Sequence, residues 1–190
     1  YRLEGYLFPA TYGYGKDSKM EDLVDQMLAA MDQNLSAYYD TMEAKNIDVN
    51  EALTLASLIE KEGATDKDRK DIASVFYNRL NQDMPLQSNI AILYAQGQLG
   101  KKTTLKEDAT IDTNIDSPYN IYKNTGLMPG PVDSPGVSAI EAAVNPSKTD
   151  YLYFVANVET GEVYFAKTYE EHTKNVEEHV NSKLTESSSN

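Results

Sequence analysis

The segment Glu51–Glu62 (EALTLASLIEKE) constrains the fold most, because its spacing demands a helix with a buried face that two carboxylates flank. At about 100° per residue, Ala52, Ala56 and Ile59 form the centre of an apolar stripe. Two carboxylates interrupt its edges. Glu60 falls on one flank with Leu53 and Ala56, Glu62 on the opposite flank with Leu55 and Leu58, and Lys61 points away. Desolvation at such an edge favours a protonated carboxyl near neutral pH, so a glutamate there is a candidate general acid. The alternative is a flank glutamate that reaches solvent or pairs with a base. Helix geometry alone ranks neither carboxylate above the other.

The rest of the chain predicts an α+β fold. The opening RLEGYLFPATYGYG, with Gly5, Pro9, Gly13 and Gly15, reads as a short extended segment and a turn. Ser18 with Glu21 fits a capping box for a helix whose stripe is Leu23, Val24, Met27, Leu28, Met31 and Leu35. Gly63 fits a left-handed end to the Glu60 helix. A further helix is expected over residues 67–82, with Ile72, Val75, Phe76 and Leu80 inward and Asn78 and Arg79 adjoining. Its start, Lys67, Asp68, Arg69, Lys70 and Asp71, reads as solvated. MPLQSNIAILYAQG (84–97) predicts a tight entry and a short helix capped by Ser88 or Asn89. Thr104 and Glu107 would cap about two turns over 103–110.

Residues 116–136 carry four prolines and three glycines, a loop stiffened by fixed φ values. A short helix over 138–144 stops at Asn145 and Pro146. YLYFVAN (151–157) and EVYFA (162–166) flank a glycine-containing turn and predict an antiparallel hairpin. Thr168 with Glu171 caps a last helix to about Leu184, with Val176 and Val180 inward, and residues 185–190 form a disordered tail.

Composition narrows the function. A chain of 190 residues suits one domain, here expected over 1–184. Its net charge of −13, with no basic patch, argues against nucleic acid. With no cysteine there is neither thiolate catalysis nor a disulfide, and two histidines, His172 and His179, offer a poor metal site; no cofactor is expected. No apolar run approaches the ~20 residues of a membrane span. The chain starts at Tyr1 inside a structured-looking motif, so a longer protein with an upstream anchor is expected.

The ordered string LEGYLFPATY, LASLIEKEG, DRKDIASVFYNRL, MPLQSNIAILYA, SPYNIYKNTGLMPGPVDSPG and NPSKTDYLYFVAN, from Leu3 to about Val180, resembles the MltG (YceG-like) endolytic murein transglycosylases of Gram-positive type. The resemblance implies a mainly helical, lysozyme-like core with a small antiparallel sheet. It implies cleavage of the β-1,4 bond between N-acetylmuramic acid and N-acetylglucosamine within peptidoglycan strands, leaving a 1,6-anhydromuramyl end and terminating nascent strands. It assigns the catalytic acid to the first glutamate of the EKE motif, Glu60, acting as donor and then as base toward the muramyl C6 hydroxyl. Substrate-binding roles are expected for Glu62, Gln87, Ser88, Asn89, Tyr119 and Asn120, with Tyr119 or Tyr122 against a sugar face. Glu4, in EGYLFP, is a weaker candidate.

The same resemblance implies a membrane anchor and a LysM-like module upstream, the outer face of the cytoplasmic membrane, and peptidoglycan synthases and elongation or division proteins as partners. Two positions depart from the family pattern: Ala10 and Asn89 stand where many members carry an acid. Asn89 cannot take a proton, which throws more of the chemistry on one glutamate. Two other readings remain, a muramidase-type hydrolase using a second carboxylate such as Glu62, and a noncatalytic glycan- or partner-binding module.

Overall fold

The computed structural model describes residues 3–100, 107, 110–157 and 160–181. Among them the architecture is α+β. Helices α1 (Met20–Leu35), α2 (Tyr39–Lys45), α3 (Val49–Glu62), α4 (Asp66–Leu80), α5 (Asn89–Ala95) and α6 (Val137–Val144) precede a hairpin of β1 (Tyr153–Ala156) and β2 (Val163–Ala166), followed by α7 (Tyr169–Val176) and a wider turn, Glu177–Asn181. None of these helices is long and apolar enough to cross a membrane.

Helix α3 is the axis of the molecule. Asp48 and Glu51 cap it reciprocally: the Glu51 N–H donates to Asp48 Oδ1 at 2.7 Å, and the Asp48 N–H to Glu51 Oε2 at 3.0 Å. It is buried on every side from Ala52 to Ile59, not along one stripe as its spacing suggests. Burial on both sides leaves the Thr54 hydroxyl without a hydrogen-bond partner among the described residues, whereas Ser57 is used internally. Ser57 Oγ donates to the Thr54 carbonyl at 2.8 Å and accepts the Val132 N–H at 3.0 Å. Helix α6, built from small residues with Ala139, Ile140, Ala142, Ala143 and Val144 buried, packs closely along it, and α4 and α5 cover the other sides.

The proline-rich loop is part of this core. Ile121, Met128 and Val132 are buried in the same cluster as Leu53, Leu58 and Phe76. The N-terminal segment locks onto it through Gly5, whose φ of +82° and proximity to Pro131 leave no room for a side chain: an added Cβ would lie 2.3 Å from Pro131 Cβ.

In the hairpin, Tyr153 pairs with Ala166, Phe154 with Phe165, Val155 with Tyr164 and Ala156 with Val163. Phe154 meets Phe76 of α4 edge-on, with ring centroids 5.8 Å apart, which anchors the sheet to the helical core.

Several local expectations change. Helix α1 begins at Met20 after Lys19 with no side-chain cap; Ser18 Oγ instead accepts the Gly15 N–H at 2.9 Å, a tighter local turn that competes with the capping box. Helix α4 starts earlier, capped by Thr65, and Asp71 in its charged first turns is buried against Lys67 rather than solvated. Gly63 is extended, with φ −105° and ψ 122°, not left-handed. Its lack of a side chain is needed for another reason, since a Cβ would sit 2.6 Å from Arg69 Cγ. The last regular helix ends at Val176. The Thr104 cap, most of the 103–110 turns and the 185–190 tail lie outside the described residues.

Candidate active site

A cavity of about 540 Å³ opens where the C-terminal end of α3 meets the segment entering α5, the hairpin and α7. Consecutive helix positions are 100° apart, so Glu60 and Glu62 point in nearly opposite directions. Glu62 lines the cavity; Glu60 is not among its walls. Glu60 turns toward α6, where Oε2 accepts the Gly136 N–H at 3.1 Å and Oε1 stands 3.5 Å from Arg69 Nη2. It holds the end of α3 to the start of α6 and to α4. Lys61, between them, pairs with Asp133 at 2.6 Å.

Ser88 fixes Glu62. Its hydroxyl donates to Glu62 Oε1 at 2.7 Å while accepting the Ile90 N–H at 3.2 Å, so one side chain caps α5 and orients the carboxylate. Ser88 is only 2% exposed, which keeps that geometry rigid. Gln87 and Asn89 also border the cavity. Gln87 adopts a left-handed backbone, φ 57°, an uncommon conformation for a residue with a side chain, and its N–H donates to the Ile121 carbonyl at 3.0 Å. Asn89 Oδ1 accepts the Tyr122 hydroxyl at 2.6 Å, which brings that aromatic ring to the cavity wall.

Two expected substrate-binding residues lie elsewhere. Asn120 is 1% exposed: its Nδ2 donates to the Thr113 and Ile115 carbonyls at 3.0 and 2.7 Å, and its Oδ1 accepts the Tyr122 N–H at 3.1 Å. Those bonds shape the loop that delivers Tyr122 and leave the amide away from the cavity. Tyr119 packs against Tyr94 with ring centroids 4.9 Å apart, also off the cavity wall. Of the two tyrosines considered, Tyr122 is the one that reaches it.

Arg79 and His172 were not singled out for the site by sequence. Arg79 adjoins the apolar face of α4 and is 6% exposed at the cavity. Its Nε donates to the Leu152 carbonyl at 2.6 Å, and its Nη1 to the carbonyls of Pro85 and Leu86 and to Gln87 Oε1 at 2.9, 3.1 and 3.0 Å. Burial lowers its pKa, yet a guanidinium stays charged. His172 stacks on Tyr153, and burial, then the nearby Arg79 charge, pushes its pKa below the usual 6.5, favouring neutral imidazole. His179 lies apart from it, stacked face to face on Tyr164 at 3.6 Å.

A sequence model of the YceG-like family matches residues 1–178. A Streptococcus pneumoniae serotype 2 (strain D39) protein named endolytic murein transglycosylase is 67% identical over 184 residues, 97% of this chain and 33% of that protein. A Bacillus subtilis (strain 168) protein of the same name is 48% identical over 182 residues, 95% of this chain and 49% of that one. The chain thus spans a third to a half of the length of these relatives. The 2.6 Å crystal structure of a yceG-like protein from Listeria monocytogenes shares 51% identity and superposes with a TM-score of 0.81, covering 90% of this chain and 55% of that one. With the family's pattern running through α3, the α5 entry, the proline-rich loop and the hairpin that together enclose the cavity, this chain belongs to the YceG-like family.

Proposed function

We propose that this chain is the catalytic part of an endolytic peptidoglycan transglycosylase, and that Glu62, rather than Glu60, is its acid. The observation that carries this reading is the cavity wall: Glu62 is the only carboxylate on it among the described residues, and Ser88 holds it in place. Hydrolysing glycosidases use two carboxylates across the scissile bond. A wall with one fits a reaction in which the sugar supplies its own nucleophile. Protonated Glu62 donates to the glycosidic oxygen as the bond from the muramyl C1 breaks. The C6 hydroxyl oxygen then bonds to C1, and its proton passes to the Glu62 carboxylate, restoring the acid and closing the 1,6-anhydro ring. Gln87, Asn89 and Tyr122 supply amide and aromatic surface suited to N-acetyl sugars without charge.

The names of the S. pneumoniae and B. subtilis relatives support the same reaction. The family resemblance extends it to termination of nascent strands, an anchor in the cytoplasmic membrane and peptidoglycan synthases as neighbours. Mass spectrometry of digested glycan strands tests the chemistry: anhydromuramyl ends are expected, and reducing ends one water heavier would replace this reading with a hydrolase. Glu62→Gln should lose about 10² to 10⁴ in rate, with Glu60→Gln losing little. The reverse pattern would return the acid role to Glu60, and absence of cleavage by the parent would favour a noncatalytic module.

A further inference from the structure

Arg79 is a nearly buried cation whose fork is only half used. Its Nε and Nη1 clamp backbone carbonyls and Gln87, while Nη2 donates to nothing among the described residues and is not sealed off from solvent. Its four acceptors are three carbonyls and one amide oxygen, so no carboxylate among the described residues neutralises it. Burying an unpaired charge is costly, and the open Nη2 presents charged N–H donors that a carboxylate oxygen can accept in a charge-assisted hydrogen bond. His172, on a different element, faces the same cavity. Its Nδ1 is buried without a partner, and its Nε2 has none among the described residues either, though it is not enclosed. Tyr153 holds the two together: the Arg79 guanidinium lies 5.1 Å from the ring centroid, and the His172 ring stacks on it at 5.4 Å.

We propose that Arg79 Nη2 and His172 Nε2 form a subsite for a carboxylate of the bound glycan, in the same cavity as Glu62. The proposal rests on the peptidoglycan reading above and names what that reading leaves open, the substituent the cavity selects. The backbone clamp made by Nε and Nη1 accounts for the burial of Arg79 but requires neither Nη2 nor His172. In a chain of net charge −13, this is a local positive site that an anionic substituent can reach only inside the cavity. The carboxylate can come from the lactyl ether of muramic acid or from the end of a peptide attached to it.

Binding decides the question apart from turnover. The full-length protein carrying Glu62→Gln is titrated calorimetrically with three alternating N-acetylglucosamine–N-acetylmuramic acid oligomers. One bears free lactyl carboxylates, one their methylamides, and one short peptides ending in a free carboxylate. A charge-assisted pair of this kind corresponds to about a tenfold or greater preference, so the free-lactyl or the peptide oligomer should bind at least tenfold tighter than the methylamide. Whichever is preferred identifies the source. Arg79→Lys, which keeps the charge but not the planar array of donors, and His172→Ala should each erase most of that preference, read as the ratio of carboxylate to methylamide affinity, so that a change common to all three oligomers does not enter. Equal binding of all three oligomers overturns the subsite and leaves the peptidoglycan reading standing; no binding by any of them overturns both. The comparison among oligomers needs neither variant, so a misfolded Arg79→Lys does not decide the outcome.

Discussion

Glu60 and Glu62 are separated by one lysine, and their roles diverge because each meets a different neighbour. Glu60 meets the N–H of Gly136, the N-cap of α6, and Arg69, a pairing that joins elements, whereas Glu62 accepts the Ser88 hydroxyl at the mouth of α5 and lines the cavity. Ser88 is therefore a positioning residue. Ser88→Ala removes the bond that orients Glu62 and one cap of α5; a loss of kcat on the order of tenfold to a hundredfold with little change in KM is expected, because a slightly misplaced acid weakens the transition state more than binding. Steady-state kinetics on glycan strands would expose the opposite split. Ser57 shows the other use of a hydroxyl. Fully buried, it accepts the Val132 N–H, so Ser57→Ala strands a buried donor and should cost about 1–3 kcal/mol in denaturant unfolding, with the Ser88–Glu62 bond untouched.

At the level of elements, α3 was legible and its environment was not. Its cap, composition and length are local properties, but a 100° stripe describes a helix with one wet face, and α6 and the proline-rich loop cover the face that would have been wet. That the proline-rich loop enters the core follows from Ile121, Met128 and Val132, spaced with no regular period that could announce burial. Its docking partner is the N-terminal segment at Gly5. Gly5→Ala combines a left-handed φ with a Cβ inside Pro131, so unfolding by denaturant should show destabilisation of at least about 1–2 kcal/mol; a neutral effect would mean that the segment is not seated on the loop. Asn120 belongs to this scale too. Its residue type and motif suggested sugar recognition, but an asparagine flanked by turns satisfies backbone groups just as readily, and here it does.

Across the whole molecule, the cavity joins residues from 61 to 172, and its electrostatics belong to the assembly. His172 lies against Tyr153, with Tyr169 and the Arg79 charge close by, and its pKa is held below 6.5 by burial first. Below about pH 6.5 the unfolded chain takes up a proton that the folded chain resists, so folding stability drops as pH falls through that window and levels off below the folded value. Denaturant midpoints between pH 7 and 5 should therefore fall less steeply in His172→Gln than in the parent, and parallel slopes would remove His172 from the acid response. The sequence by itself determined most of the helices, though not α2, together with the hairpin and the α+β class, because helical and alternating periods and turn residues act within a few positions. For the proposed acid it offered two candidates on one helix, Glu60 and Glu62. Which of the two faces the cavity, and that Arg79 and His172 stand there with it, only the tertiary structure decided: a side chain's neighbours depend on elements up to a hundred residues away, and no local period encodes them.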